Sequence, residues 1–154
     1  MDYMIVKWLH ILSSTLLFGT GIGSAFYMLF ANISRDVRAI AVVARYVVIA
    51  DWLFTATTAV FQPLTGFYLI HLAGYPMHSR WIVWSVVLYV LAGACWLPVV
   101  WIQIRLRDMA QAAVRGDGQL GAAYWRLMRI WVALGIPAFL AFVVIFYLMV
   151  AKPA

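Results

Sequence analysis

Four long apolar stretches constrain the fold of this chain more than any other feature of its sequence. They cover residues 3–30, 45–72, 80–104 and 125–150, and each exceeds the ~20 residues that an α-helix needs to cross a bilayer. Backbone groups that face lipid must be paired within the segment itself, so we expect these stretches to be helices. Short connections between them predict an all-α integral membrane protein, an antiparallel four-helix bundle formed as one domain over residues 1–154.

The composition supports the same class of protein. Hydrophobic residues make up 67% of the chain and charged residues 10%, whereas soluble domains average about 45–50% and ~25%. The net charge of +6 comes from basic residues that flank the apolar stretches, which argues against nucleic-acid binding. A single cysteine, Cys95, excludes a disulfide framework and a thiolate metal site.

The distribution of Lys and Arg predicts the orientation of the bundle. Three of these residues fall at the face that carries both termini and the connection 73–79, namely Lys7, Arg80 and Lys152. Eight fall at the opposite face: Arg35, Arg38, Arg45, Arg105, Arg107, Arg115, Arg126 and Arg129. Because cytoplasmic loops are enriched in basic residues, the pattern predicts that both termini lie on the non-cytoplasmic side.

Two histidines in different apolar stretches are the first candidates for a functional site, because ionisable groups are costly at membrane depth. His10 lies roughly 10 Å and His71 roughly 5 Å below the predicted outer boundary. Side chains lean toward the N-terminus of their helix, so in antiparallel helices these two imidazoles are expected to converge. Paired histidines in a helical bundle are typical axial ligands of a b-type haem. Lys7 and Arg80 are then the expected partners of its propionates.

Other interpretations of these histidines stay open. Each could instead have a structural role, His10 by donating to a backbone carbonyl and His71 by facing interfacial water. A proton-transfer role is a further alternative. His78 could substitute for His71, and copper or zinc could be held by His10, His71 and His78 together with Met77. The absence of a CxxCH motif excludes the covalent haem attachment of c-type cytochromes.

Asp51 and Gln62 are the remaining polar candidates inside the apolar stretches. Asp51 is either a proton-handling, catalytic carboxylate, since intramembrane acids often mark proton relays, or a structural partner of a basic residue, with Arg45, Arg126 and Arg129 as the choices. Gln62 either binds a backbone carbonyl or contacts a quinone-like head group.

Small and cyclic residues predict local features of the helices. Gly19 and Gly23 form a GxxxG pair, which favours close approach by another helix or by a flat ligand. Prolines interrupt each of the later stretches and leave a carbonyl four residues earlier without its helical donor. The pairs are Pro63 with Ala59, Pro98 with Ala94, and Pro137 with Ala133. Neighbouring helices or waters are expected to supply new donors.

The sequences KWLHILSSTLLFGTGIGSAF and RYVVIADWLFTATTAVFQPLTGFYLI resemble a bacterial family of predicted integral membrane proteins, the domain of unknown function 2269. This resemblance covers nearly the whole chain. More distantly, the K-x-x-H pattern from Lys7 to His10 is similar to that of membrane-embedded protoporphyrinogen oxidases of the HemJ type and of CopD-like membrane proteins. That second resemblance implies haem binding and quinone-linked redox chemistry.

Together these observations predict a multi-pass protein of the bacterial inner membrane that binds haem b and transfers electrons to or from a lipid quinone, as a membrane oxidoreductase. In this hypothesis His10 and His71 ligate the iron, Lys7 and Arg80 hold the propionates, and Asp51 handles protons. The competing hypothesis is a cofactor-free bundle, either a small transporter or an accessory subunit. Its GxxxG surface would then contact a membrane protein or a second copy of the chain.

Overall fold

The computed structural model describes residues 2–153, nearly all of them helical. Two consecutive α-helices and a π-helical segment form the second span, and a single α-helix forms each of the other three. The helices are α1 (Asp2–Ser34), α2 (Val37–Ala50), the π segment (Asp51–Thr55), α3 (Ala56–Ala73), α4 (Arg80–Arg115) and α5 (Ala122–Ala151). Within residues 2–153, four continuous helical stretches are long and apolar enough to cross a membrane. The predicted all-α bundle of four spans is confirmed.

The helices extend further than their apolar stretches at one end of the bundle. The expected connections 31–44 and 105–124 shrink to a two-residue turn at Arg35 and Asp36 and to a loop over residues 116–121. The extensions are amphipathic, and their buried residues recur with helical spacing: Ile40, Ala41, Ala44, Leu106, Ala110 and Ala113. We call the end of the bundle that carries these helical extensions the charged end, and the end with the 74–79 loop the short-loop end.

The main core of the bundle lies toward the charged end. Met28 of α1, Ile40 of α2, Leu106 of α4 and Tyr124 of α5 are fully buried there in one cluster. Tyr124 donates a hydrogen bond from its hydroxyl to Oδ1 of Asn32 at 2.8 Å. That bond satisfies a buried amide and holds α5 against α1, as expected for polar groups at a membrane helix interface.

The short-loop end has a smaller core of Trp81, Ile82 and Leu148. The side chain of Lys152, just beyond α5, covers this core by donating to the Tyr75 hydroxyl at 2.9 Å and lying over the Trp81 ring. This hydrogen bond and the charge of Lys152 lower the pKa of the Tyr75 phenol. The contact connects the end of α5 to the 74–79 loop.

One of the carbonyls exposed by a proline has a new donor, as expected. Pro63 lies inside α3 and cannot donate to the carbonyl of Ala59. Tyr89 of α4 donates its hydroxyl proton to that carbonyl at 2.6 Å. The proline therefore creates a hydrogen bond between α3 and α4 in the middle of the bundle.

The GxxxG pair does not pack against another helix of this chain, contrary to the packing interpretation. A Cβ atom built on Gly19 or Gly23 would meet no atom within 4 Å, because this face of α1 is not covered by α2–α5. Close approach between helices involves a different glycine, Gly66 of α3, where the added Cβ would lie 3.3 Å from Cε1 of His10.

Candidate functional site

His10 of α1 packs against α3 through a polar contact with Thr65 and beside Gly66, whose missing side chain leaves room for the ring. Its Nδ1 lies 2.7 Å from Oγ1 of Thr65. The adjacent residue, Gly66, leaves space for the ring edge that an alanine methyl group would crowd. The imidazole is half-buried, and its contacts with Thr65 and Gly66 place it against α3.

The hydrogen bonds of Thr65 assign the proton of His10. The Thr65 hydroxyl lies within donating distance of two backbone carbonyls, Phe61 at 2.9 Å and Gln62 at 3.2 Å. A hydroxyl has one proton to donate, and here it goes to the backbone. We therefore assign Nδ1 of His10 as the donor to Oγ1. In that tautomer the lone pair of Nε2 is free.

The next polar contact between the same two helices lies about one turn deeper. Ser13 is buried and donates to the amide oxygen of Gln62 at 3.1 Å. The carbonyl predicted as a partner of Gln62 is bound by Tyr89 instead. Ser13 and His10 thus form a short polar stripe on α1 that faces α3.

His71 is not brought to His10 in this structure. It lies about 9 Å further along α3 than Thr65, counted at ~1.5 Å per residue. An α-helix rotates by about 100° per residue. His71 therefore points about 190° away from the direction midway between Thr65 and Gly66, the two residues that contact His10. His71 is also exposed. The two imidazoles therefore lie on opposite sides of α3.

The other residues predicted for this site surround the short-loop end. Lys7 lies about one turn from His10 on α1, with its ammonium 5.8 Å from the centre of the Tyr3 ring. Arg80 is the first residue of α4, and His78 precedes it in the loop; both are exposed. Among the residues described, no three His, Cys, Asp or Glu side chains cluster as a metal site.

A second polar cluster lies around Asp51. The carboxylate is 8% exposed, and its Oδ1 accepts a hydrogen bond from Nε1 of Trp96 at 3.1 Å. Thr55 and Gln103 lie near the same carboxylate. Asp51 Oδ2 and Gln103 Nε2 are buried and have no hydrogen-bond partner within residues 2–153. One carboxylate oxygen is thus held by Trp96, and the other has no partner among the described residues.

The structural alternative for Asp51 was pairing with Arg45, Arg126 or Arg129, and it is wrong. These arginines are exposed, and over residues 2–153 the one salt bridge joins Arg107 to Asp108. Arginines at the membrane boundary extend their side chains toward water rather than into the core. The indole of Trp96, which can be buried at lower cost, donates to Asp51 in their place.

The family described as "Predicted integral membrane protein (DUF2269)" matches residues 4–153. The chain belongs to this family. It is accordingly an integral membrane protein, and the match extends from α1 to just beyond α5, so it includes both polar clusters. No curated protein matches the chain, and no solved structure does.

Sequence reasoning missed several residues of these clusters. Thr65 and Gly66 lie inside an apolar stretch, where neither stands out as a polar or ionisable residue. Gln103 was overlooked because it lies close to the arginines of the charged end. The π segment gives no sequence signal; such segments occur often at functional sites, and this one begins at Asp51.

Proposed function

We propose that this membrane protein binds a b-type haem through Nε2 of His10 and serves electron transfer with a lipid quinone in the bacterial inner membrane. One observation carries the proposal: Nδ1 of His10 lies 2.7 Å from Oγ1 of Thr65, and donation from Nδ1 leaves Nε2 free for a metal. Histidines that bind metals commonly donate their second ring N–H to a neighbouring acceptor, which orients the ring and fixes its tautomer. For His10, the Thr65 hydroxyl is the neighbouring acceptor and Gly66 leaves space for the ring.

The remaining residues have defined roles in this proposal. Bound haem would supply one-electron chemistry, while the protein sets its potential through ligation, burial and hydrogen bonding. Lys7 and Arg80 would bind the propionates at the short-loop end, and Asp51 would accept or release protons through its free oxygen. Ligation of the haem by His71 as the second ligand stays a prediction. It requires that α3 turn its opposite face toward His10 when haem binds.

An absorption spectrum tests the proposal. The chain is expressed with a haem precursor, purified in mild detergent, and scanned before and after dithionite. We expect a Soret band that shifts on reduction and is lost in His10→Ala. The matched control, His78→Ala, should keep the band. A wild-type protein without a Soret band, or an unchanged band in His10→Ala, would refute His10 ligation. Loss of the band in His71→Ala would support His71 as the second ligand.

The Asp51 cluster favours a second candidate function, proton-coupled transport without a cofactor. Its supporting observation is the buried carboxylate oxygen that has no partner, next to the unpartnered amide of Gln103. Acidic residues inside membrane helices often belong to proton relays in transporters.

Proton uptake distinguishes the two functions. Proteoliposomes that carry an internal pH dye are exposed to an inward proton gradient, with wild-type protein or Asp51→Asn. Proton entry that depends on Asp51 in haem-free protein would favour transport. Equal, slow proton entry for wild type, Asp51→Asn and empty liposomes would count against it and leave the haem proposal unaffected.

A further inference from the structure

A groove at the charged end combines two unpaired arginines with an apolar floor. It has a volume of about 420 Å³ and lies between the end of α1 and the start of α5, where Leu29, Ile33 and Val132 line its apolar part. Arg35 and Arg129 line its rim together with Trp125. The groove is separate from both the His10 and Asp51 clusters.

The position of Arg35 is set by the local backbone and by an aromatic ring. Arg35 adopts a left-handed conformation with φ of 59°, in the two-residue turn between α1 and α2. Its guanidinium lies 4.0 Å from the centre of the Trp125 ring, a typical cation–π contact. The indole is itself held by a hydrogen bond from its Nε1 to the carbonyl of Leu120 at 3.2 Å. The positive charge is therefore held over the groove.

Over residues 2–153, no acidic side chain pairs with either of these arginines. Asp36, the acidic residue nearest to Arg35 in sequence, caps α2 by accepting from the backbone N–H groups of Arg38 and Ala39. None of the residues that line the groove is acidic. Neither Arg35 nor Arg129 belongs to the single salt bridge found over residues 2–153.

The floor of the groove is rigid. Asn32 is buried, donates to the carbonyl of Met28 at 2.8 Å, and accepts the hydroxyl of Tyr124. The bond from Tyr124 connects α5 to α1 at Asn32, which lines the groove. A ligand would find a preformed cleft that is cationic at the membrane boundary and apolar toward the bilayer interior.

We propose that this groove binds an anionic phospholipid, with the headgroup phosphate between Arg35 and Arg129 and the beginning of one acyl chain along Leu29, Ile33 and Val132. Guanidinium groups bind phosphate in a bidentate manner, and Trp prefers the headgroup level of a membrane. Basic pockets between transmembrane helices are known to bind acidic lipid headgroups. The combination of charge and an adjoining apolar surface favours a lipid over a free anion.

Native mass spectrometry of the full chain tests this inference. The protein is released from detergent in the presence of equal amounts of phosphatidylglycerol and phosphatidylcholine. Both lipids carry a phosphate, but phosphatidylcholine also carries a cation that the two arginines repel. We therefore expect a preference for the anionic phosphatidylglycerol of about tenfold, and loss of that preference in Arg35→Gln/Arg129→Gln. The matched double variant Arg38→Gln/Arg115→Gln removes the same charge at the same end and should keep it.

Two further arms make the result decisive. Arg129→Gln alone leaves the stacking of Arg35 on Trp125 intact, so it should fold normally and weaken phosphatidylglycerol binding. Inorganic phosphate should not raise the thermal stability of the wild type as phosphatidylglycerol does. Equal loss of preference in both double variants would show a diffuse charge effect, and stabilisation by phosphate alone would show an anion site. Either result would overturn the proposal.

Discussion

At the scale of single residues, the proton on Nδ1 determines what His10 can do. With the Thr65 hydroxyl donating to the α3 backbone, the assigned tautomer makes the imidazole a donor at Nδ1 and a base at Nε2. Sequence analysis identified His10 and Asp51 from the cost of polar groups in lipid. It could not identify their partners, because Thr65 and Trp96 are ordinary residues of membrane helices until the helices meet.

Removing the Thr65 hydroxyl should weaken metal ligation by His10. In Thr65→Val the Nδ1–H group loses its acceptor and the ring loses its orientation, whereas Thr65→Ser keeps an oxygen at the same place. Loss of such a partner commonly lowers metal affinity about 10–100-fold. Haem transfer to apomyoglobin should therefore be faster for the valine variant than for the serine variant. Equal rates would show that Thr65 does not support the ligand.

At the scale of helices, the spans were predictable and their junctions were not. Apolar length gives the number of helices, but the helical extensions at the charged end are amphipathic and escape a search for apolar stretches. Their signal was present in the spacing of Leu106, Ala110 and Ala113. The hydrogen bond from Tyr89 to Ala59 depends on how α3 and α4 are placed relative to each other, which no single span reveals.

The hydrogen bond from Tyr89 to Ala59 should depend on Pro63. Tyr89→Phe leaves the Ala59 carbonyl without a donor, at a cost of about 1–3 kcal/mol for a buried group. In a Pro63→Ala background the new backbone N–H can bond to that carbonyl, so the same change should cost less. Thermal unfolding of all four proteins in detergent measures this double-mutant cycle. Tyr147→Phe, at an exposed position, is the control. An unchanged cost in the alanine background would contradict this explanation.

Replacement by alanine should change the stability of the protein differently at Gly19 of α1 and at Gly66 of α3. Gly66→Ala places a methyl group 3.3 Å from His10 Cε1, whereas Gly19→Ala meets nothing within 4 Å. Alanine is favoured over glycine in a helix by about 1 kcal/mol, and overpacking costs about 1–3 kcal/mol. Gly19→Ala should therefore be neutral or stabilising. The Gly66→Ala protein should be less stable than the Gly19→Ala protein. Equal melting temperatures for the two variants would mean that the His10 ring yields freely.

At the scale of the whole molecule, the bundle has two chemically different ends. The charged end carries most of the arginines, the lipid groove and the larger core. The short-loop end carries His10, His71 and Lys7. If the charged end lies in the cytoplasm, as the distribution of Lys and Arg predicts, the His10 cluster lies in the outer half of the membrane and electrons would be exchanged there.

Cysteine labelling tests this orientation. In a Cys95→Ser background, single cysteines replace Met77 in the 74–79 loop or Asp117 in the 116–121 loop. A membrane-impermeant maleimide applied to intact cells should label the cysteine at position 77, and the cysteine at position 117 only after permeabilisation. The reverse pattern would invert the bundle and move the His10 cluster toward the cytoplasm.

The most direct measurement of the central claim is chemical rescue of the ligand. In His10→Gly the haem spectrum should disappear, and added imidazole should restore it by entering the space of the missing ring beside Thr65. His78→Gly should need no imidazole. A His10→Gly protein that keeps the wild-type spectrum without imidazole would contradict the assignment of His10 as the haem ligand.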